Sequence, residues 1–425
     1  MQHQPSRKPE ELEGHLLGLI EAARDQARED PFRNPVLAVT LAITRRFDRN
    51  EISAADLDSL FVRLRAASLE SRAARLRAYV GLEAGPVDPQ AAIPARLVAA
   101  VPDRPDAFEG FADFIRRTAF AVVFTAHPTF GMPRAVASLL AEAASLPDET
   151  ARTGLIAQAA ALSTRPDAPI TLDVEFEQAC AAANNGRLAL DAFNGAALDA
   201  ARARWPDRWT ELTPRPFAIA SWVGCDTDGR TDIGWWDTLR YRLISKRMQF
   251  DRVMRELPEI GACREVRALA EGALAAVNRQ LAVAPRLGDK PSLEAVHRFS
   301  LALIIERERA QTDAGQLIAG LTAALEAAGD PADQRRIAVL RAGVATHGLS
   351  NALPHFRLNA SQIHNAVRRV VDLEGEPTDA ARRRSHLATV HALLNDVRPV
   401  AVDFGALAAE RASAARLMMT IAQIL

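Results

Sequence analysis

The sequence is poor in aromatic side chains and in net charge. Of 425 residues only 2 are Tyr and 5% are aromatic, and 52 Lys and Arg nearly balance 53 Asp and Glu, for a net charge of −1. A nearly neutral chain has no overall field that would attract nucleic acid or an anionic membrane surface, so we expect neither as a partner. An anionic substrate would have to be held by arginines placed locally.

Cysteines and long apolar runs are also scarce. The 3 cysteines are far apart and have no CxxC or metal-finger spacing, which argues against a disulfide framework and is typical of a reducing compartment: Cys180, Cys225 and Cys263. The opening MQHQPSRKPEELEGH lacks the apolar core of a signal peptide. No apolar run approaches the roughly 20 residues that span a bilayer. We therefore predict a cytoplasmic protein.

What dominates the sequence is alanine, leucine and arginine, which favour helices. Apolar residues recur at spacings of three and four over 54–80, 175–193, 265–283 and 292–311, which predicts amphipathic helices. Clusters of Pro, Gly and Asp predict helix breaks at 84–90, 101–106, 163–169, 212–216, 286–292 and 327–333. No repeat of fixed period is present, so a simple solenoid is not favoured.

Three short stretches interrupt the helical pattern: AFAVVFTAHPT, PFAIASWVGCDTDGRTD and GLSNALPHFRLNAS. They predict strands near 119–126, 216–223 and 352–357, each followed by polar residues. Reactive side chains at the carboxyl ends of strands are typical of a parallel (β/α) barrel. The predicted fold is mostly α, with helical insertions around the first strands of a (β/α)8 TIM-type barrel. We expect an N-terminal helical region over 1–115 and the first part of the barrel domain over 116–425.

His127 is the first candidate for chemistry. It follows an apolar run, its exit is fixed by Pro128, and Thr125 and Thr129 flank it. An imidazole that titrates near neutral pH can serve as a general base. The alternative is a structural histidine whose ring is satisfied by a backbone carbonyl.

The other candidates follow the second and third strands. Asp226 and Asp228 stand two residues apart before Gly229, and the pair can bind a cation or cap a tight turn. The spacing does not match an EF-hand. Arg357 ends the third apolar run, where its guanidinium can bind a phosphate or carboxylate, unless it is simply a surface arginine.

Taken together, the three stretches resemble phosphoenolpyruvate carboxylase. The family's TAHPT motif is matched in full by residues 125–129. Its Ser-Trp-x-Gly-Gly-Asp-Arg-Asp-Gly-Asn-Pro motif is similar to the run that contains Ser221, Trp222, Gly224, Asp226, Asp228 and Gly229. A family strand that ends in Ile-Arg-Gln is similar to residues 356–358. The resemblance spans the whole chain, but only as the N-terminal half of the family's length.

The resemblance implies an enzyme that joins bicarbonate to phosphoenolpyruvate, giving oxaloacetate and phosphate, with Mg²⁺ or Mn²⁺. Bicarbonate attacks the phosphoryl group to form carboxyphosphate and the enolate of pyruvate. His127 would then act as a base that helps to release CO₂ beside the enolate. Arg357 would hold the phosphate, and Arg134 stands for one of two arginines that follow the TAHPT motif. Family members are commonly homotetramers.

The sequence also departs from the family. Phe130 and Pro133 replace a Glu or Gln and an arginine, and Cys225 and Thr227 replace Gly and Arg. The family's Gly-Arg-Gly-Gly loop does not occur, and its metal-binding carboxylates are expected outside this chain, so no metal ligand is assigned here. Because the chain stops in the apolar RLMMTIAQIL, we expect it to be truncated at 425 and inactive by itself.

Two other functions remain open from the sequence. Phe130 and Pro133 motivate a carboxylase-like helical protein that has lost catalysis and binds or regulates a partner. A phosphate-ester hydrolase would instead use Asp226 and Asp228 as metal ligands.

Overall fold

In a computed structural model the described residues are 9–30, 32, 34–80, 89–124, 131–163, 165–167, 169–226, 233–286, 291–357, 360–371, 379–396, 403–411 and 413–424. Most of them are helical, and three short strands form one sheet. The chain divides into two compact units, one of Met1–Val87 with Gly131–Asp167 and the other of Asp88–Phe130 with Ala168–Leu425. The first unit therefore takes residues from both sides of the boundary expected at 115 and 116.

The first unit is built from helices alone, as far as it is described. They are α1 Pro9–Glu29, α2 Pro35–Asp48, α3 Ala54–Val80, α6 Arg134–Ser145 and α7 Glu149–Ala161. The core packs α3 against α6 and α7 through Leu69, Val136, Leu140 and Ala159. Arg65 of α3 donates to the carbonyl oxygen of Ala160 at 2.9 Å, which helps to satisfy the end of α7.

The second unit contains the strands and the remaining helices. Its strands are β1 Phe120–Phe124, β2 Phe217–Ser221 and β3 Leu353–Pro354. Its helices are α4 Pro89–Ala99, α5 Ala107–Arg116, α8 Leu172–Arg204, α9 Trp235–Glu256, α10 Arg264–Ala282, α11 Leu293–Ile305, α12 Gly315–Ala327, α13 Pro331–His347, α14 Ala360–Val371, α15 Arg383–Asp396, α16 Phe404–Ala409 and α17 Ser413–Ile424.

Local chemistry explains where several helices begin and end. The Thr171 hydroxyl accepts from the Val174 amide at the start of α8, and the Asp330 carboxylate caps α13, whose first residue is Pro331. Gly348 ends α13 with a φ of 58°, a backbone conformation that glycine adopts without strain. The sequence prediction of a helix over 54–80 is confirmed by α3.

The three strands form a parallel sheet in the order β1-β2-β3, so the strand predictions are confirmed. Phe120 to Phe124 pair in register with Phe217 to Ser221, and the shorter β3 joins where Leu353 and Pro354 pair with Ala220 and Ser221. The connections between these strands contain several helices each, in agreement with the prediction of a parallel sheet with helical insertions. The structure thus has a mostly helical fold with a small parallel sheet.

The main core of the second unit lies among its helices. Phe250, Val277, Phe299, Leu321 and Ile337 are fully buried there. Trp235 and Trp236 join this core. Within the described residues, no helix combines the length and the apolar character needed to cross a membrane.

Candidate functional site

The carboxyl ends of the three strands meet at one edge of the sheet. We call the carboxyl edge the set formed by Phe124, residues 221–226 and residues 354–357. The Ser221 hydroxyl donates to the Phe124 carbonyl oxygen at 3.0 Å, and the His355 amide donates to the Ser221 carbonyl oxygen at 2.9 Å. Ser221 therefore fixes the ends of β1 and β3 to the end of β2.

A tight turn follows β2 at Trp222–Cys225. The Cys225 amide donates to the Trp222 carbonyl oxygen at 2.8 Å, and Gly224 has a φ of 80°. This is the third residue of a type II turn, which requires a positive φ and therefore favours glycine. A Cβ atom at Gly224 would also lie 2.5 Å from the Tyr241 ring. The positive φ and the close approach of Tyr241 therefore explain why glycine occupies position 224 of the motif.

Asp226 and Arg357 meet across the carboxyl edge. The two residues form a parallel β-bridge, and a guanidinium nitrogen of Arg357 lies 3.2 Å from the Asp226 carboxylate. The guanidinium also lies over the Trp222 ring, 4.8 Å from its centroid. Arg357 is thus positioned by a carboxylate and an indole, and the ion pair offsets part of its positive charge. With 47% of its side chain exposed, it still faces solvent.

Cys225 is not a nucleophile in this arrangement. Its side chain is buried, and burial raises the pKa of the thiol to about 12, so it stays protonated at neutral pH. The adjacent Asp226 adds to this effect, whereas Arg242 opposes it. Cys225 therefore fills space behind the edge where the family has glycine.

His347 supports the centre of the sheet and was missed by sequence reasoning. It is 1% exposed at the end of α13, and its Nε2 accepts a hydrogen bond from the Ile219 amide of β2 at 3.0 Å. The pairing of β2 with β3 begins only at Ala220. The amide of Ile219, the residue before Ala220, therefore has the imidazole as its partner in place of a strand. Its Nδ1 donates to the Gly343 carbonyl oxygen at 3.3 Å, which completes the set of partners for the neutral ring.

Arg187 supports the segment that leads into β3. Fully buried in α8, it donates to the carbonyl oxygens of Asn351 at 2.9 Å, Ser350 at 3.3 Å and Gly343 at 3.5 Å. Burial, with a smaller contribution from the nearby Arg252, lowers the pKa of its guanidinium to about 9. Sequence reasoning missed this role, although Arg187 lies on the face of α8 that also buries Ala183 and Leu190.

We expect the stability of the protein to depend on pH through His347. Burial first, and then Arg187, lower the pKa of His347 from 6.5 to about 3. Between these two pKa values the unfolded state binds more protons than the folded state. The contribution of His347 to the free energy of unfolding is therefore fully present above pH 6.5 and is lost as the pH drops below it. The slope approaches about 1.4 kcal/mol per pH unit for one group. Urea unfolding of the wild type and of His347→Gln at pH 7.0, 6.0 and 5.5 measures it.

The His347→Gln variant is the reference for the wild type, because its side-chain oxygen can still accept a hydrogen bond from the Ile219 amide. We expect a smaller decrease in stability from pH 7.0 to 5.5 in His347→Gln than in the wild type. Equal decreases in the two proteins would contradict a neutral His347 in the fold.

Of the other predicted site residues, one lies in the described part of the chain and five lie outside it. Arg134 is the first residue of α6 in the first unit, and its backbone amide donates to the Asp167 carboxylate at 2.8 Å. Five further residues lie outside the described residues, so their predicted roles stay predictions: Thr125, His127, Thr129, Asp228 and Gly229. Of the predicted set, the structure brings Asp226 and Arg357 together.

A divalent cation has no ligand set in the described part of the chain. There, no three His, Cys, Asp or Glu side chains are grouped closely enough to hold a metal ion. The described residues therefore do not fit the Mg²⁺ or Mn²⁺ that the family resemblance implies, and we assign no step to a metal bound by them.

No family model matches this chain, and no curated protein matches it significantly.

Proposed function

We propose that this chain carries the first part of a phosphoenolpyruvate carboxylase active site, which forms oxaloacetate and phosphate from phosphoenolpyruvate and bicarbonate. The observation that supports it most is the carboxyl edge. Three stretches separated by about 90 and 130 residues in the sequence end side by side on parallel strands. The carboxyl edge of parallel strands is where α/β proteins carry their chemistry.

Arg357 is the described residue best suited to a phosphate. It stands at the carboxyl edge, it is half-exposed, and its orientation is held by Asp226 and Trp222. A guanidinium forks onto the oxygens of a phosphoryl group and stabilises the charge that spreads over them during transfer. In the proposal Arg357 turns from Asp226 to the substrate, and Asp226 keeps the site from holding unrelated anions.

His127 takes the proton-handling role in this proposal. It lies three positions after Phe124 in the sequence, and the carbonyl oxygen of Phe124 is held by Ser221 at the carboxyl edge. Bicarbonate attacks the phosphoryl group, which yields carboxyphosphate and the enolate. His127 then takes the proton of the carboxyl group, CO₂ and phosphate separate, and the enolate carbon adds to the CO₂. The exclusion of water protects the enolate from protonation.

An incomplete (β/α)8 barrel is part of the proposal. Parallel sheets in such folds are covered on both faces, yet Phe120 and Val122 of β1 are 57% and 37% exposed. Among the described residues, β1 pairs with β2 alone. In a closed barrel further strands would pair with the outer edge of β1, and the elements packed on its faces would cover these side chains.

The remaining parts of the proposal rest on composition and on resemblance. A cytoplasmic location is supported by the 3 cysteines, all of which are free thiols. Mg²⁺ or Mn²⁺ would be held by residues outside this chain, and a homotetramer is the assembly that the family resemblance implies.

Binding of phosphoenolpyruvate tests the role of Arg357. We expect the 425-residue chain to bind phosphoenolpyruvate without turning it over, and Arg357→Gln to weaken binding about 10- to 100-fold through the loss of charge-assisted hydrogen bonds. Asp226→Asn should strengthen binding by up to about fivefold, because it removes the competing carboxylate. Titration calorimetry measures both changes.

Arg264→Gln is the matched control, since Arg264 is an exposed arginine at the start of α10. Unchanged binding in Arg357→Gln would argue against the carboxylase proposal. It would favour the alternative of a carboxylase-like protein without catalysis, for which the Asp226–Arg357 ion pair is a purely structural contact.

A further inference from the structure

A cavity in the second unit is lined by none of the residues of the carboxyl edge. It lies among α9, α10, α11 and the segment 307–312, with Phe404 and Gln423 also in its wall. Its volume is about 120 Å³, which exceeds the space that a single water molecule needs. The cavity is therefore large enough for a small molecule of a few heavy atoms.

The charges around this cavity are of one sign. Arg242 and Lys246 lie one turn apart on α9, and Arg307 follows α11. None of the residues that line the cavity is Asp or Glu. Two like charges at this spacing on a helix repel each other, and burial without a counter-charge adds to the cost.

Of the two cations of α9, Lys246 is buried and Arg242 is partly buried. Lys246 is 9% exposed, and burial together with the repulsion of Arg242 lowers the pKa of its amine to about 7. Burial also lowers the pKa of Arg242 to about 10. An anion in the cavity would relieve both effects, because an opposite charge nearby favours the charged forms.

Lys246 and Arg242 each have N–H donors beyond those that bond to backbone carbonyl oxygens. Lys246 donates to the Gln311 carbonyl oxygen, and Arg242 donates to the Leu349 carbonyl oxygen at 2.8 Å. An ammonium has three N–H donors and a guanidinium has five, so each retains donors for a ligand. In the described part of the chain, the Arg307 guanidinium has no hydrogen-bond or ion-pair partner.

Gln280 adds an acceptor that lacks a donor. It is 3% exposed in the cavity wall, and its amide nitrogen donates to the Leu303 carbonyl oxygen at 3.4 Å. Its Oε1 is buried and has no hydrogen-bond partner among the described residues. A buried acceptor without a partner is rare in folded proteins, and a ligand that brings a hydroxyl group would satisfy it.

We propose that this cavity binds a small organic anion in which a phosphate or carboxylate group stands next to a hydroxyl group. The anionic group lies among Arg242, Lys246 and Arg307, and the hydroxyl group donates to Oε1 of Gln280. Leu239, Leu243 and Leu303 line the same cavity and contact the carbon atoms of the ligand. The residues of this site are not those of the carboxyl edge, so the proposed anion site does not depend on the carboxylase proposal.

Calorimetric titration of the 425-residue chain with two matched pairs of probes tests the site. Glycerol 3-phosphate is compared with propyl phosphate, and lactate with propionate, so that each pair differs in its hydroxyl groups. We expect the hydroxyl-bearing member of at least one pair to bind about tenfold more tightly than its partner. The pair that binds identifies the anionic group as phosphate or carboxylate.

Variants locate the binding. Arg307→Gln changes an exposed side chain and should preserve the fold while weakening binding at least about tenfold. Lys246→Met should weaken it likewise, whereas Gln280→Leu should abolish the preference for the hydroxyl-bearing probe. Arg309→Gln, an exposed arginine two residues from Arg307, is the control and should bind as the wild type does.

Proton uptake gives an independent measurement. The ionisable groups that face the cavity are Arg242, Lys246 and Arg307, and of these Lys246 titrates near pH 7. At pH 8 we expect anion binding to take up a fraction of a proton, seen as a binding enthalpy that varies with the buffer, and to lose this uptake in Lys246→Met.

The proposal is overturned if none of the four probes binds saturably at millimolar concentration. It is also overturned if binding is unchanged in Arg307→Gln, since the anion then lies elsewhere. Equal affinities within both pairs of probes would remove Gln280 from the site.

Discussion

Replacing His127 by asparagine in the natural gene product should lower oxaloacetate formation by about two to four orders of magnitude, the usual contribution of a general base. Asparagine keeps a polar side chain of similar size but cannot take a proton at neutral pH. Because His127 acts after the phosphoryl group has moved in the proposed sequence, phosphate release should fall less. The enolate that is left without CO₂ would take a proton and leave as pyruvate.

The measurement follows oxaloacetate, phosphate and pyruvate in the same reaction with phosphoenolpyruvate and bicarbonate. We expect the ratio of pyruvate to oxaloacetate to rise in His127→Asn. His297→Asn, at an exposed position of α11, should leave the ratio and the rates unchanged. A proportional loss of all three products would mean that His127 acts before or during phosphoryl transfer.

Arg187→Met should lower the free energy of unfolding by roughly 3 to 5 kcal/mol, because it leaves buried carbonyl oxygens without donors. The carbonyl oxygens of Asn351 and Ser350 lie directly before β3, so the loss also loosens the segment that delivers Arg357. Methionine fills most of the volume, which separates the loss of hydrogen bonds from the creation of a cavity. Urea unfolding at pH 7.5 measures the change.

Arg202→Met is the control on the same helix. Arg202 is exposed, and its guanidinium lies 5.7 Å from the centroid of the Trp209 ring, so its replacement should change stability by less than about 1 kcal/mol. Similar effects of the two substitutions would show that the three carbonyl contacts of Arg187 contribute little.

The sequence predicted the strands and several helix boundaries because those signals are local. Apolar runs with a polar end predicted β1 and β2, and the periodicity of 54–80 matched α3. The AAGDPAD run predicted the break that the structure places between Ala327 and Pro331. Proline and glycine act on their own backbone, so their effects can be read without knowing the tertiary structure.

The supports of the carboxyl edge could not be predicted in the same way. The Asp226–Arg357 ion pair joins residues separated by 131 positions, and Ile219 and His347 are separated by 128. Nothing local in the sequence states that a histidine will accept from a strand amide or that an arginine will satisfy three carbonyl oxygens. The folding of α8 and α13 against the sheet creates these contacts.

The measurement that tests the carboxylase proposal most directly uses bicarbonate labelled with ¹⁸O and the protein purified from its natural source through an antibody against these 425 residues. If bicarbonate attacks the phosphoryl group, one of its oxygens moves to phosphate and the other two enter the new carboxylate of oxaloacetate. We predict phosphate that carries a single ¹⁸O atom, formed in equal amount to oxaloacetate. Unlabelled phosphate, or no oxaloacetate at all, would contradict the proposal.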